Sequence, residues 1–174
     1  HEHPERAEAW PGLIMAEVIL DRLRMQSENP AGAIDDNVAA ARSKAIVERV
    51  ITEWKRASPD DAAPYLAEMQ AQVAPEQQDD YVLALAERFP NDARALGRAI
   101  PILARREQSS RSAEMIESAL AHHPERSNLW PLAIRFYESQ GNTARQREVT
   151  NAWFENFPGD PAALQFWLSS VPGN

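Results

Sequence analysis

Three pairs of adjacent carboxylates are the first residues in this sequence whose types could do acid–base chemistry. Such chemistry needs two acids that face each other, whereas neighbours on a helix point to different sides. Each pair also stands at an expected helix start, where acidic side chains interact favourably with the helix dipole. We therefore interpret the pairs as helix-start residues and not as a catalytic site. They are Asp35–Asp36, Asp60–Asp61 and Asp79–Asp80.

The four histidines form two pairs with different metal chemistry. His122 and His123 are adjacent at an expected helix end, a spacing that cannot hold one metal ion from one face, so we interpret them as partners of the helix dipole. His1 and His3, with a free amino terminus, have the spacing for Cu²⁺ or Ni²⁺ in a square plane. A chain that opens on His1 is expected to be a processed or excised piece. We predict no native metal or cofactor.

Other signatures of enzymes are missing from the sequence. It has no glycine loop for phosphate, no HExxH and no serine in a nucleophile elbow. It has no cysteine, which excludes disulfides, thiolate catalysis and cysteine-ligated zinc. We therefore predict that this segment is not an enzyme. A chain without cysteine suits the cytoplasm, the bacterial periplasm and a secreted scaffold equally, so the compartment stays open.

The charge and the apolar runs limit the class of partner. A net charge of −8 repels the phosphate backbone, so we expect no binding to nucleic acid. The longest apolar run, LIMAEVIL, contains a glutamate and is far shorter than the roughly 20 residues that span a bilayer. We expect no membrane insertion within this segment.

The spacing of the prolines indicates which helices must position any site. Pro90, Pro124 and Pro158 recur every 34 residues, and each begins a polar turn. Large apolar residues recur six positions after aligned prolines, at Trp10, Tyr65, Leu96, Trp130 and Leu164. Together with apolar positions three and four residues apart before each proline, this spacing predicts pairs of helices. It also predicts burial of Ile116, Trp130, Tyr137 and Trp153.

The resulting prediction is an all-α protein of helix pairs. Thr143 and Gln146 have the spacing of a capping box for the eighth helix, and Pro101 is expected to kink the fifth helix without breaking it. We predict a single domain over 1–174, with units at about 5–58, 59–92, 93–126 and 127–160 and a terminal helix at 161–171. The helices are expected at 6–27, 36–57, 60–73, 76–89, 92–106, 111–123, 126–140, 143–157 and 161–170.

Unit 127–160 resembles the tetratricopeptide repeat (TPR) family. Trp130 falls on the family's tryptophan, Tyr137 on its tyrosine, Gly141 on the glycine between the helices and Pro158 on the closing proline. The resemblance is weaker in the earlier units, and it implies a right-handed α-solenoid. The small residue that lets the two helices approach in this family is replaced by Leu66, Ile100 and Ile134. We therefore expect wider and less regular packing.

In the TPR family the first helix of each pair lines a concave groove, and the resemblance places candidate binding residues there. Arg94, Arg98 and Arg105 share one side of a helix. The next unit contributes Asn128, Arg135 and Glu138. Arginine favours carboxylates and phosphates, so we expect an acidic or C-terminal peptide segment as the ligand. The alternative is that these arginines pair with acids of neighbouring helices.

The expected function is a non-catalytic protein–protein interaction scaffold that binds a peptide or a partner helix in its groove. Two alternatives stay open. One is a structural or self-associating spacer, which would use the apolar residues Leu164, Phe166, Trp167 and Leu168 of the terminal helix. The other is a regulatory domain of a larger secretion or assembly protein or of an enzyme.

Overall fold

The computed structural model describes residues 4–29 and 34–170, and over these residues the chain is all-α, with nine helices and no strand. The helices are α1 (Pro4–Glu28), α2 (Asp36–Ala57), α3 (Ala63–Gln72), α4 (Pro75–Arg88), α5 (Ala93–Arg105), α6 (Ser109–His122), α7 (Leu129–Ser139), α8 (Thr143–Asn156) and α9 (Pro161–Ser170). The all-α prediction is confirmed. Each predicted helix is present with its ends shifted by at most three residues.

Short polar side chains determine where several helices begin. Asp35 accepts hydrogen bonds from two backbone amides at the start of α2, and Asp92 does the same for α5. At the start of α8 the capping residue is Asn142, whose side chain accepts from the amide of Arg145 at 3.1 Å. The predicted capping box of Thr143 and Gln146 is therefore wrong, because Asn142 occupies the N-cap position and Thr143 is already the first helical residue.

Two special backbone positions behave as the sequence indicates. Gly141, between α7 and α8, has a φ of 65°, a conformation that glycine adopts without steric cost. Helix α5 continues through Pro101 from Ala93 to Arg105, so the prediction that the helix is not broken is confirmed. The residue one turn earlier, Gly97, has no side chain, and a Cβ there would lie 3.7 Å from Leu132 of α7.

The chain divides into two compact units, residues 1–74 and 75–174, which are described separately. In the first unit α1 packs on α2 and α2 packs on α3. Trp10 of α1 stacks on Trp54 of α2 with ring centroids 6.0 Å apart. The ion pair Lys55–Glu68, at 2.5 Å, joins α2 to α3. Aromatic stacking and ion pairs thus connect consecutive helices of this unit.

In the second unit the helices α4 to α9 pack in chain order, and α5 also contacts α7. Helix α7 contributes most of one hydrophobic cluster, which also takes in Ile116 of α6 and Trp153 of α8. Phe166 of α9 packs on Trp153 with ring centroids 5.5 Å apart. The four residues predicted to be buried, Ile116, Trp130, Tyr137 and Trp153, are all at most 5% exposed. That prediction is confirmed.

Replacing Trp153 by alanine should destabilise the second unit strongly. The side chain is 1% exposed, and its loss leaves a cavity between α8 and α9, so we expect a cost of about 3–5 kcal/mol in urea denaturation. Leu168→Ala is the matched control, because that leucine is 59% exposed. A cost for Trp153→Ala no larger than that of the control would contradict the packing.

Replacing Ser112 by alanine should stabilise the protein. Ser112 is completely buried in α6, and its Oγ has no hydrogen-bond partner among the described residues. Removing an unpaired buried hydroxyl and introducing the better helix former should together raise the free energy of unfolding by about 1 kcal/mol. A lower free energy of unfolding in the same urea measurement would show that Ser112 makes a favourable interaction.

Candidate functional site

The six candidate binding residues of the sequence lie on or beside two adjacent helices of the second unit. The arginines Arg94, Arg98 and Arg105 are on α5, Arg135 and Glu138 are on α7, and Asn128 directly precedes α7. All six side chains are exposed. Because α5 and α7 contact each other, the structure brings these two groups onto neighbouring elements.

Two of the four arginines are engaged in ion pairs. Arg94 binds Asp92, the capping residue of its own helix, at 2.6 Å. Although burial disfavours its ionisation, the hydrogen bonds from Arg94 and from the amide of Ala95 lower the pKa of Asp92. Arg105 reaches Asp79 of α4 at 2.9 Å. Arg105 thus pairs with an acid of a neighbouring helix, as the alternative expected, whereas the partner of Arg94 belongs to its own helix.

The acids of α4 have a different role from the one the sequence suggested. Asp79 and Asp80 lie in the second turn of α4, whose first residue is Pro75. Asp80 accepts a hydrogen bond from Arg106 at 2.8 Å, parallel to the Arg105–Asp79 pair. These carboxylates tie α4 to the end of α5, so the prediction that they serve a helix start is wrong for this pair.

The other two arginines have no such partner. Arg98 of α5 and Arg135 of α7 are exposed, and neither makes a hydrogen bond or ion pair through its side chain among the described residues. Asn128 occupies the capping position of α7 but makes no capping hydrogen bond with its side chain. This leaves two guanidinium groups available to a ligand, half the number expected.

A cavity that the sequence did not indicate lies between α6, α7 and α8. Its volume is about 400 Å³. Most of its wall is apolar or aromatic and is formed by Leu120, Ala121, Trp130, Tyr137, Val149 and Ala152. Three charged side chains, Glu117, Arg145 and Glu148, complete the lining. The cavity therefore combines an apolar interior with a few polar groups, the usual composition of a binding site.

The polar side of the cavity is one connected network from three helices. The hydroxyl of Tyr137 donates to Oε1 of Glu117 at 2.7 Å. Arg145 binds the same oxygen at 3.1 Å and Oε2 of Glu148 at 2.6 Å. The hydrogen bond to Glu148 is the main reason that the pKa of Arg145 is raised. These contacts hold the guanidinium between two carboxylates.

The cavity and Arg135 lie on different sides of α7. Arg135 follows Trp130 by five residues and precedes Tyr137 by two, which corresponds to rotations of about 140° and 160° around the helix. Trp130 also donates a hydrogen bond from Nε1 to the carbonyl oxygen of Pro124 at 3.1 Å, which fixes its ring. Helix α7 therefore presents a cationic side chain on one side and an aromatic wall on the other.

Metal sites are not formed by the histidines that the structure describes. Nδ1 of His122 lies 2.8 Å from the carbonyl oxygen of Ser118 at the end of α6, and Nδ1 of His123 lies 3.3 Å from Oε1 of Glu125. In the described part of the chain, no three metal-ligating side chains come together. His1 and His3 lie outside the described residues. Among the helices that the structure describes, none has the length and hydropathy of a membrane span.

Compared with models of protein families, with curated proteins and with solved structures, the chain gives no match.

The pH dependence of stability should reveal the Tyr137–Glu117 hydrogen bond. Burial, and then the bond to Glu117, raise the pKa of Tyr137 above its ordinary value of 10.0. The stabilisation by the protonated hydroxyl is thus complete below pH 10 and is lost as the pH rises through the higher folded-state pKa. At pH 7, Tyr137→Phe should cost about 1 kcal/mol in urea denaturation.

The difference between the wild type and Tyr137→Phe should become smaller as the pH rises above 10. Tyr65→Phe, in the first unit, serves as a control for tyrosine ionisation elsewhere in the chain. A difference that stays constant from pH 7 through the alkaline range would contradict the raised pKa of Tyr137.

Proposed function

We propose that this chain is a non-catalytic protein-interaction scaffold of TPR-like helix pairs that binds an acidic peptide segment along α5 and α7. The observation that carries the proposal is the pair Arg98 and Arg135. Both guanidinium groups are exposed on adjacent helices and have no side-chain partner among the described residues. In a chain of net charge −8, unpaired guanidinium groups are positions at which carboxylates are attracted.

The arrangement of the helices supports a TPR-like solenoid. Consecutive helices pack in chain order in the second unit, and α5 additionally contacts α7, the first helix of the following pair. That contact is expected where helix pairs stack and each pair touches its neighbour. The glycine turn at Gly141 and the 34-residue spacing of Pro90, Pro124 and Pro158 agree with the same repeat.

Arginine chemistry makes an acidic segment the best-matched ligand. The planar guanidinium binds a carboxylate through two hydrogen bonds, and these charge-assisted bonds are stronger than neutral ones. Arg94 and Arg105 contribute less than the sequence indicated, because Asp92 and Asp79 already neutralise them. Binding should therefore depend mainly on Arg98 and Arg135.

Charge reversal at the two unpaired arginines tests this proposal. Arg98→Glu combined with Arg135→Glu should weaken the binding of a fluorescent octaglutamate peptide by up to about thirtyfold, since each of the two exposed ion pairs contributes about 0–1 kcal/mol. Fluorescence anisotropy measures the affinity, which should also fall as salt is added.

The matched control is Arg56→Glu combined with Arg147→Glu. These arginines are also exposed, lie on α2 and α8, and change the net charge by the same amount. Equal weakening in both double variants would mean that only the overall charge matters, and the proposed face would then be wrong. Unchanged thermal melting of both variants shows that the effect lies in binding.

A second candidate function, self-association, is favoured by an apolar face on α1. Glu17 and Asp21 of this helix pair with Arg49 and Arg42 of α2. The remaining circumference carries large apolar side chains that are 39–63% exposed, namely Leu13, Met15, Ile19, Leu20 and Leu23. A contiguous exposed apolar surface of this kind is typical of a contact between proteins.

The terminal helix, where the sequence suggested self-association, offers less surface. Trp167 of α9 stacks on Phe154 with ring centroids 5.2 Å apart, and Phe166 packs on Trp153. Of the four apolar residues expected to be available, only Leu164 and Leu168 are exposed. Helix α1 is therefore the stronger candidate for contact with a second copy.

Sedimentation of two double variants separates these surfaces. If α1 mediates self-association, the wild type should form concentration-dependent dimers, and Leu20→Glu with Leu23→Glu should abolish them. The matched pair Leu164→Glu with Leu168→Glu on α9 should leave the dimers intact. A wild type that stays monomeric at every concentration, or dimers lost only in the α9 variant, would refute self-association through α1.

A further inference from the structure

We propose that the cavity between α6, α7 and α8 is a second binding site, which takes a large apolar side chain of a peptide whose flanking residues are basic. This site lies on the other side of α7 from Arg135 and goes beyond the proposed recognition of an acidic segment. Its expected ligand has the opposite charge. The proposal depends on the shape of the cavity, the charges at its rim and their hydrogen bonds.

The interior of the cavity suits an apolar group. Its volume of about 400 Å³ lies near the lower end of the range for ligand sites, about 300–1,000 Å³. Trp130 and Tyr137 form an aromatic wall, and both side chains are held by hydrogen bonds, to Pro124 and Glu117 respectively. A wall that is already ordered loses little conformational entropy when a ligand binds.

The charges at the rim favour a basic ligand. The rim has two carboxylates, Glu117 and Glu148, and one guanidinium, Arg145. Both terminal nitrogens of Arg145 are engaged by these carboxylates. In contrast, Oε2 of Glu117 and Oε1 of Glu148 accept no hydrogen bond among the described residues. Each carboxylate therefore has one oxygen that can accept from a lysine or arginine of the ligand.

The position of the rim favours a peptide over a second copy of this chain. The side chains of Glu117, Arg145 and Glu148 are 48%, 42% and 63% exposed, so groups on both sides of an inserted side chain can reach them. A second copy would bring another net charge of −8 against this acidic rim. Like charges at an interface disfavour association, whereas a basic peptide is attracted.

Filling the cavity tests the apolar part of the proposal. The probe is a fluorescent peptide with one leucine between two pairs of lysines, and its binding is followed by fluorescence anisotropy. Ala121→Trp places a large ring in the cavity from a position that is exposed on α6, and it should weaken binding at least about tenfold. Ala144→Trp, at an exposed position on α8 outside the cavity lining, should bind as the wild type does.

Neutralising the rim tests the charge part separately and preserves the packing. Glu148→Gln should weaken the lysine-flanked peptide about threefold, in the range of one exposed ion pair. Glu155→Gln is the matched control, because it makes the same change on the same helix outside the cavity lining. A peptide with glutamates in place of the lysines should bind at least about threefold more weakly to the wild type.

Several outcomes would overturn the proposal. Equal affinity of the wild type and Ala121→Trp would show that the peptide does not enter the cavity. Equal affinity for lysine- and glutamate-flanked peptides would refute the assigned charge. Dimers of the wild type that Ala121→Trp abolishes would assign the cavity to a second copy. The Arg98→Glu, Arg135→Glu variant should still bind the lysine-flanked peptide, and loss of that binding would show that the two sites are not independent.

Discussion

The dependence of each short helix on its neighbours underlies the architecture of both units. In the described part of the chain, seven of the nine helices are only 10–14 residues long. Isolated helices of this length are marginal in water, since a few hydrogen bonds cannot offset the entropy lost in forming the first turn. Each must therefore bury an apolar face on the helices next to it. Packing in chain order is the simplest arrangement that satisfies this requirement.

Helix α7 shows how this requirement also creates candidate binding surfaces. Its buried residues extend around much of the helix, because α5, α6 and α8 all contact it or share its cluster. Arg135 occupies the part that remains exposed on one side. On the other side, α6 and α8 leave Trp130 and Tyr137 as the wall of a cavity. The same helix thus separates the side that carries Arg135 from an apolar site with an acidic rim.

The placement of the candidate binding residues on the helices was predictable, but the ion pairs that they form were not. The spacing of Arg94, Arg98 and Arg105 placed them on one side of a helix, because three- and four-residue intervals always share a side. Which arginines stay available depends on contacts between residues that are far apart in the sequence. Arg105, for example, binds Asp79, which is 26 residues earlier in the chain. For the cavity, the sequence contains only a partial signal, the seven-residue spacing of Trp130 and Tyr137. The polar rim was not predictable, because it joins Glu117 to Arg145, which lie on different helices.

The sequence alone determined the all-α class, the order of the helices and the identity of the main buried residues. These properties depend on local periodicity, on proline and glycine positions and on short capping residues, which act within a few positions of the chain. Tertiary structure decided which charges are neutralised, the division into two units and the presence of the cavity. It also decided that Phe166 and Trp167 are packed and that the apolar face of α1 is exposed. Such features depend on the distances between helices. The periodicity of a single helix does not specify these distances to within the width of one side chain.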